Sequence, residues 1–183
     1  MNGIFRHLDC RNPGSMRIHD KPVPIKEQQH DRPTADSPLG AAAHRRHPLS
    51  VARAEIGRVF APAVGELLAA MREQGIEPAG PLFSYHLNMP GEVYDVQIGF
   101  PVDADVQPSG RVVAGALPAL KVARTIYRGP MDGLGTAWSE LTTWVAQNAL
   151  ATRSFMWENY LVGPGDTPES SIWQTELNWP LAD

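Results

Sequence analysis

The stretch KVARTIYRGPMDGLGTAWSELTTWVAQN (residues 121–148) decides which fold the sequence predicts. Its first part, residues 121–128, is predicted to form a strand, which a Gly-Pro pair at positions 129–130 ends. Asp132 is a residue type that caps helices, and apolar residues then recur at three- and four-residue spacing to about Asn148. The stretch therefore predicts a strand followed directly by an amphipathic helix.

The same order of elements occurs earlier in the chain. Residues 39–47 (LGAAAHRRH) lie between two prolines and are predicted to form a strand. Ser50 is a suitable cap for a helix that extends to about Gln74, and Pro62 either kinks that helix or restarts it. Two strand-length runs follow, at residues 82–88 and 92–100.

The order strand, helix, strand, strand occurs twice, because strands are also predicted at 155–162 and 172–179. The segment 82–87 (LFSYHL) aligns without a gap with 156–161 (MWENYL). We therefore expect an α+β fold of two modules related by a pseudo-twofold axis. The two helices should cover one face of the joined sheet and leave a concave ligand cleft on the other. One more strand is predicted between the modules, at 111–117.

Alternation along a strand divides its side chains between the two faces of the sheet. In strand 155–162 the more apolar set, with Phe155, Trp157 and Leu161, is the better candidate for packing against the helices. The other set should then point into the cleft. In the two central strands this second set comprises Met156, Glu158, Tyr160, Ser84 and His86.

Residues 1–38 differ in composition from residues 39–183, which we expect to form the folded domain. The first segment is rich in proline and charge, so we expect a largely irregular tail with room for one edge strand near residues 23–25. Five of the six histidines lie before residue 48. They could form a metal site, but a solvated tail is the favoured interpretation.

Composition excludes several classes of function. Lys+Arg 16 against Asp+Glu 20 gives a net charge of -4, which argues against a nucleic-acid partner or an anionic membrane surface. No stretch is long and apolar enough for a membrane-spanning helix, and the first residues lack the apolar core of a secretion signal. With Cys10 as the single cysteine, we expect a cytoplasmic protein without a metal site or cofactor. The oligomeric state is left open.

Glu158 is the main candidate for chemistry because Met156, Trp157 and Tyr160, which lie within two positions of it, are apolar or aromatic. A partly desolvated carboxylate there could pair with a cationic ligand or act as a general base on water. The alternative is an edge-strand glutamate that faces solvent. The residues predicted to line a ligand site with it, through stacking and cation–π contacts, are Tyr160, Trp157, Met156, Tyr85, Tyr94, Phe100 and Trp179.

Other candidates carry weaker signals. Glu176 could divide acid and base roles with Glu158, but a contact with solvent or a neighbouring strand is favoured. His86 could carry a proton, although a lone strand histidine is more often structural. Trp138 and Trp144 lie near a helical stripe and are interpreted as packing residues.

The order and spacing of several short motifs resemble one known family. The motifs are the Arg-Gly-Pro turn at 128–130, the Glu-x-Tyr strand at 158–160, and Thr-Glu-Leu-Asn-Trp-Pro at 175–180. Together they resemble the bacterial gyrase-inhibitor-like (GyrI-like) domains over about residues 39–181. The family aromatic after Gly-Pro is replaced by Met131 here, which would soften one wall of a pocket.

The resemblance implies a double strand-helix-strand-strand fold that binds aromatic, often cationic, small molecules between aromatic side chains and a glutamate. Glu158 and Tyr160 match the family's glutamate and tyrosine. Some stand-alone members are hydrolases that open the strained cyclopropane of DNA-alkylating natural products. We therefore expect sequestration or sensing of drugs or toxins, with such a hydrolase as the alternative and an inhibitor of a macromolecule such as gyrase as a weaker third hypothesis.

Overall fold

The computed structural model describes residues 33–36, 43–88, 91–105 and 107–182. Within these ranges one antiparallel sheet carries two α-helices, α1 (Ile56–Glu73) and α2 (Leu134–Gln147). The predicted α+β class is therefore confirmed. The strands are β1 (Thr34–Asp36), β2 (Ala43–Ala52), β3 (Phe83–His86), β4 (Val93–Pro101), β5 (Val113–Ala116), β6 (Val122–Arg128), β7 (Met156–Val162) and β8 (Gln174–Pro180).

The order of strands places the two predicted modules side by side. It runs β1-β6-β8-β7-β3-β4-β2-β5, so β3 of the first module pairs with β7 of the second. In that pair Ser84 lies directly opposite Glu158. Outward from this central pair, the first module continues with β4 and then β2, and the second continues with β8 and then β6. In each module the second strand is therefore followed by the third and then by the first. A pseudo-twofold axis would produce this symmetry, and the axis itself stays a prediction.

Both helices pack on the same face of the sheet, as predicted. From α1, Leu67 and Ala63 join a buried cluster with Ile98 of β4. From α2, Leu141 joins a second buried cluster with Leu177 of β8. Burial of each such leucine or isoleucine side chain stabilises the fold by about 1.5–3 kcal/mol relative to exposure, so these two clusters hold the helices on the sheet.

The prediction of which strand face meets the helices is wrong. Met156 packs in the same cluster as Leu141 of α2, and the registers of β3, β7 and β8 place Glu158 on that same helix-bearing face. Trp157 lies on the opposite face. Apolarity was a poor guide here because the polar side chains of the helix-bearing face satisfy one another by hydrogen bonds.

The start of α1 also differs from the prediction. Strand β2 does not end before Pro48 but continues to Ala52, paired with β4 as far as the Ala52–Val93 pair. Its other neighbour, β5, extends only to Arg46 in the register, so Pro48 lies where β2 is an edge on that side and a missing N–H is tolerated. Ser50 consequently donates to Asp95 Oδ1 at 2.6 Å instead of capping a helix. Pro62 lies inside one helix and does not divide it.

The turn between β6 and α2 depends on two glycines that lie against one tyrosine. Tyr127 is fully buried, and its hydroxyl donates to the Pro130 carbonyl at 2.8 Å. A Cβ at Gly133 would come within 2.8 Å of the tyrosine Cζ, and Gly129 has φ of 145°. No side chain caps the first turn of α2, so Asp132 is not the cap that the sequence predicted.

Part of the predicted tail takes part in the sheet. β1 lies within residues 1–38 and pairs with β6 through Thr34–Arg124. The predicted edge strand near residues 23–25 and the histidines of the tail lie outside the described residues. The boundary at residue 38 stays a prediction.

Candidate functional site

The candidate site lies on the helix-bearing face, between the two helices. α1 packs against β2 and β4, whereas α2 packs against β6. The central strands β3 and β7 therefore form the floor between the helices. Side chains that project from this floor are Ser84, His86, Glu158 and Tyr160.

The Glu158 carboxylate is the centre of this group. It is 7% exposed. Its Oε1 accepts a hydrogen bond from Trp138 Nε1 at 2.7 Å, and its Oε2 accepts one from the Tyr160 hydroxyl at 2.8 Å. Ser84 Oγ lies 3.4 Å from the same Oε2. An ionised carboxylate only accepts hydrogen bonds, so these donors suit the charged form.

Ser84 extends the network to a histidine. Its Oγ lies 3.1 Å from His86 Nε2 and 3.0 Å from the Tyr160 hydroxyl. Both Ser84 and His86 are buried. The serine thus contacts the tyrosine, the histidine and the carboxylate, and a change in the direction of one of its hydrogen bonds changes the others.

Burial sets the protonation of the two flanking groups. Desolvation, followed by the charge of Glu158, raises the pKa of Tyr160 well above its ordinary value of 10.0, so this hydroxyl keeps its proton at neutral pH. Desolvation lowers the pKa of His86, against the opposing effect of Glu158. A neutral His86 supplies no counter-charge. Among the side chains that the structure describes, no lysine, arginine or histidine forms an ion pair with Glu158.

Aromatic rings surround these polar groups. Phe60 of α1 contacts the Tyr160 ring edge-on, with centroids 5.8 Å apart. Tyr94 of β4 contacts His86 in a similar way at 5.7 Å. Together with Trp138 of α2, these rings place apolar walls around one carboxylate. A ligand that reaches Glu158 must first move some of them aside, because the carboxylate is nearly closed off.

The structure brings together only some of the residues predicted to line the site. Glu158 and Tyr160 are in contact, and Tyr94 reaches them through His86. The other predicted residues on the helix-bearing face lie in packed clusters: Met156 and Trp179 beside α2, and Phe100 beside Met71, Ile76 and Val102.

Two predicted residues lie on the opposite face of the sheet. Tyr85 and Trp157 stack there with ring centroids 6.4 Å apart. They do not share a space with Glu158. A direct role in binding stays a prediction for every residue of the predicted set.

Trp138 is the site residue that sequence reasoning assigned to packing. It lies at the margin of the apolar stripe of α2, where a tryptophan can either pack or turn its indole N–H towards a partner. Helical spacing gives the position of the side chain but not the direction of its N–H. The indole N–H can only donate, so Trp138 is recognised as a site residue only once the carboxylate that accepts from it, Glu158, is placed opposite it.

Glu176 belongs to a separate polar cluster on the opposite face. Its Oε1 accepts hydrogen bonds from Asn159 at 2.7 Å and from Asn178 at 3.0 Å. Its Oε2 lies 3.5 Å from Arg124 Nε. Glu176 thus makes the inter-strand contacts that the sequence analysis favoured. Because it lies on the opposite face of the sheet from Glu158, the two carboxylates cannot divide acid and base roles.

Other features of the described residues lie apart from this site. A groove of about 390 Å³ lies along the outer side of α2, with Pro33, Thr125 and Trp144 among its lining residues. In the part of the chain that the structure describes, no three His, Cys, Asp or Glu side chains come close enough to hold a metal ion. Likewise, neither described helix has the length and apolarity to cross a membrane.

The sequence matches one protein family. Residues 47–182 match the family described as the GyrI-like small molecule binding domain. This match covers most of the chain, so the chain belongs to the GyrI-like family. A search of curated proteins found no match.

Solved structures with the same fold include three informative relatives. The C-terminal domain of EcmrR is 19% identical, with a TM-score of 0.72 over 86% of this chain and 99% of that domain. EcmrR as it occurs in its complex with DNA is 21% identical to this protein, with a TM-score of 0.73. That match covers 84% of this chain but only 58% of the EcmrR chain.

The other two similar structures are matched over nearly their whole length. SAV2435, solved with bound tetraphenylphosphonium, is 13% identical, with a TM-score of 0.59 over 85% of this chain and 94% of that one. A hydrolase encoded by lin2189 of Listeria innocua is 13% identical, with a TM-score of 0.57 over 82% and 92% of the two chains. At these identities the likeness shows a shared fold.

Proposed function

We propose that the protein binds aromatic, cationic small molecules between α1 and α2, with Glu158 as the counter-charge, and so sequesters or senses drugs or toxins. The observation that carries this proposal is the buried carboxylate whose hydrogen bonds, among the residues that the structure describes, come from the neutral groups of Trp138, Tyr160 and Ser84. A buried charge without an opposite charge is costly. A cationic ligand would supply that charge.

The surrounding rings support an aromatic ligand. Phe60, Tyr160 and Trp138 could each contribute stacking or cation–π contacts of about 0.5–2 kcal/mol with a flat or phenyl-bearing cation. The bound tetraphenylphosphonium of SAV2435 is such a cation. The net charge of -4 and the single cysteine are compatible with a cytoplasmic protein that takes a small cation and no nucleic acid.

Titration calorimetry with tetraphenylphosphonium tests the proposal. The wild-type protein should bind this cation and should bind neutral triphenylphosphine oxide much more weakly. Glu158→Gln keeps the shape of the side chain but removes its charge, so the Kd should rise roughly 30-fold or more, equivalent to about 2–5 kcal/mol for a buried charge pair.

Glu176→Gln is the matched control, because Glu176 is a partly buried strand glutamate on the opposite face. Its Kd should stay within a factor of about three of wild type. If Glu158→Gln binds the cation as tightly as wild type does, or if the wild-type protein binds neither compound, the proposed site is wrong.

The second candidate is a hydrolase that opens cyclopropane-bearing electrophiles. The protonated Tyr160 hydroxyl beside Glu158 favours it, since a carboxylate can take a proton from water while a neighbouring hydroxyl donates one. The water oxygen would bond to a ring carbon, a C–C bond of the cyclopropane would break, and the electron pair of that broken bond would take up a proton.

Mass spectrometry tests this second candidate. The wild-type protein should add one water to the compound, and Glu158→Gln should not; equal turnover by both proteins would contradict the hydrolase hypothesis.

A further inference from the structure

His86 is a buried titratable group that the proposed binding function has not used. It is 6% exposed, and its Nε2 contacts Ser84 Oγ at 3.1 Å. The same oxygen lies 3.4 Å from Glu158 Oε2. His86 is therefore one hydroxyl away from the carboxylate that would bind the ligand.

The hydrogens of this network can be arranged in two ways. Tyr160 has one hydroxyl proton, which points to Glu158 Oε2 at 2.8 Å. The single Ser84 proton can then go to His86 Nε2, when that nitrogen is bare, or away from it, to Glu158 Oε2 or to the Tyr160 oxygen. A protonated imidazole must donate from Nε2 to Ser84 Oγ, and the serine must then donate to Glu158 directly or to Tyr160, whose own proton lies on Glu158. Protonation thus aligns the chain and directs a positive charge towards the carboxylate.

We propose that His86 is a specificity-determining residue, which sets through Ser84 whether the Glu158 site accepts a cationic ligand. With neutral His86, the negative charge of Glu158 is free to pair with a cation. With an imidazolium, the cluster is neutral and a cation is excluded. This inference rests on the proposed function, because it concerns ligand selection at the same site.

The groups that face His86 support the direction of this effect. The charged group that acts on His86 is the Glu158 carboxylate. Tyr94 makes an edge-on ring contact with the imidazole, and the Tyr160 hydroxyl keeps its proton. The helices contribute uncharged Phe60 and Trp138 to the site. Burial lowers the pKa of His86 below 6.5, so the neutral form, and with it cation binding, should prevail at neutral pH. A cation that binds at a pH below the pKa of His86 should release one proton.

The experiment measures the Kd of tetraphenylphosphonium from about pH 8 to about pH 5. In the wild-type protein the Kd should rise as the pH falls through the lowered pKa of His86, up to about tenfold per pH unit, the limit for one competing proton. His86→Gln can still hydrogen-bond but cannot titrate, so its Kd should be nearly constant. His47→Gln alters a buried histidine of β2 and should keep the wild-type dependence.

A second measurement does not depend on the ligand. NMR titration of His86 should show a lower pKa in Glu158→Gln than in wild type, because the carboxylate favours the imidazolium. An unchanged His86 titration in that variant, or a pH-dependent Kd that persists in His86→Gln, would overturn the inference. Absence of cation binding at pH 8 would instead count against the proposed function, while the NMR result still decides the coupling.

Discussion

Glu158 and Glu176 lie on neighbouring strands and face opposite sides of the sheet, and these two carboxylates are stabilised by different kinds of partner. Each carboxylate is largely withdrawn from water and accepts several hydrogen bonds. Glu176 also has an arginine, Arg124, whose Nε is 3.5 Å away. Glu158 has none among the described side chains, and its donors are a tryptophan, a tyrosine and a serine.

The difference separates a structural charge from one that is available to a ligand. An internally paired carboxylate gains little from an incoming cation, because its counter-charge is already present. A carboxylate held by neutral dipoles keeps its full charge in a low-dielectric setting, where attraction to a cation is strong. The two sites can therefore be distinguished by which property each glutamine variant changes.

The largest expected effect on stability comes from Glu176→Gln. This variant removes the charge that accepts hydrogen bonds from Asn159 and Asn178 and lies 3.5 Å from Arg124 Nε, so the free energy of unfolding should fall by about 1–3 kcal/mol. Glu158→Gln removes an uncompensated charge, and its amide oxygen can accept from Trp138 while its NH2 donates to the Tyr160 or Ser84 oxygen, so its change should stay within about 1 kcal/mol. Urea unfolding of both variants measures this. The opposite ranking would mean that Glu158 is the structural carboxylate.

A smaller effect is expected from removing one neutral donor. Trp138→Phe keeps an aromatic ring on α2 but leaves Glu158 Oε1 without the indole N–H that lies 2.7 Å away. A hydrogen bond to a charged group is worth about 1.5–3 kcal/mol, and repacking should recover part of it, so we expect a loss near the lower end of that range.

Trp144→Phe provides the control on the same helix. Trp144 packs at the margin of the α2 core and lies outside the Glu158 network, so this variant should cost less than Trp138→Phe in urea unfolding. Equal losses for the two variants would show that Trp138 contributes only packing, and the contrast between the two glutamates would lose one of its supports.

The sequence predicted the elements well, because their signals are local. Alternation in residues 92–100 and the three- and four-residue spacing after Asp132 specify a strand and a helix without any tertiary information. The Glu-x-Tyr strand similarly indicated the candidate carboxylate. Pro48 was misleading, since its tolerance within β2 depends on where the neighbouring strand β5 ends.

The environment of the site could not be predicted in the same way. Whether Glu158 faces the helices depends on which face of β7 they cover, and that face carries polar side chains at its centre. Local apolarity assigned the helices to Trp157 instead. The hydrogen bond from Trp138 joins residues on two separate elements, and no periodicity within either element encodes it.

The smallest effect concerns a third carboxylate, Glu66 of α1, which is paired like Glu176 but exposed to solvent. Hydrogen bonds from Arg111 and His47 lower its pKa below 4.5. A lowered pKa contributes stability above 4.5, and this contribution disappears as the pH falls through the folded-state pKa. Glu66→Gln should therefore be slightly less stable than wild type at neutral pH, and the gap should close in acid. Urea unfolding at both pH values measures the gap; a gap that stays constant with pH would show that Arg111 and His47 hold Glu66 without favouring its charged form.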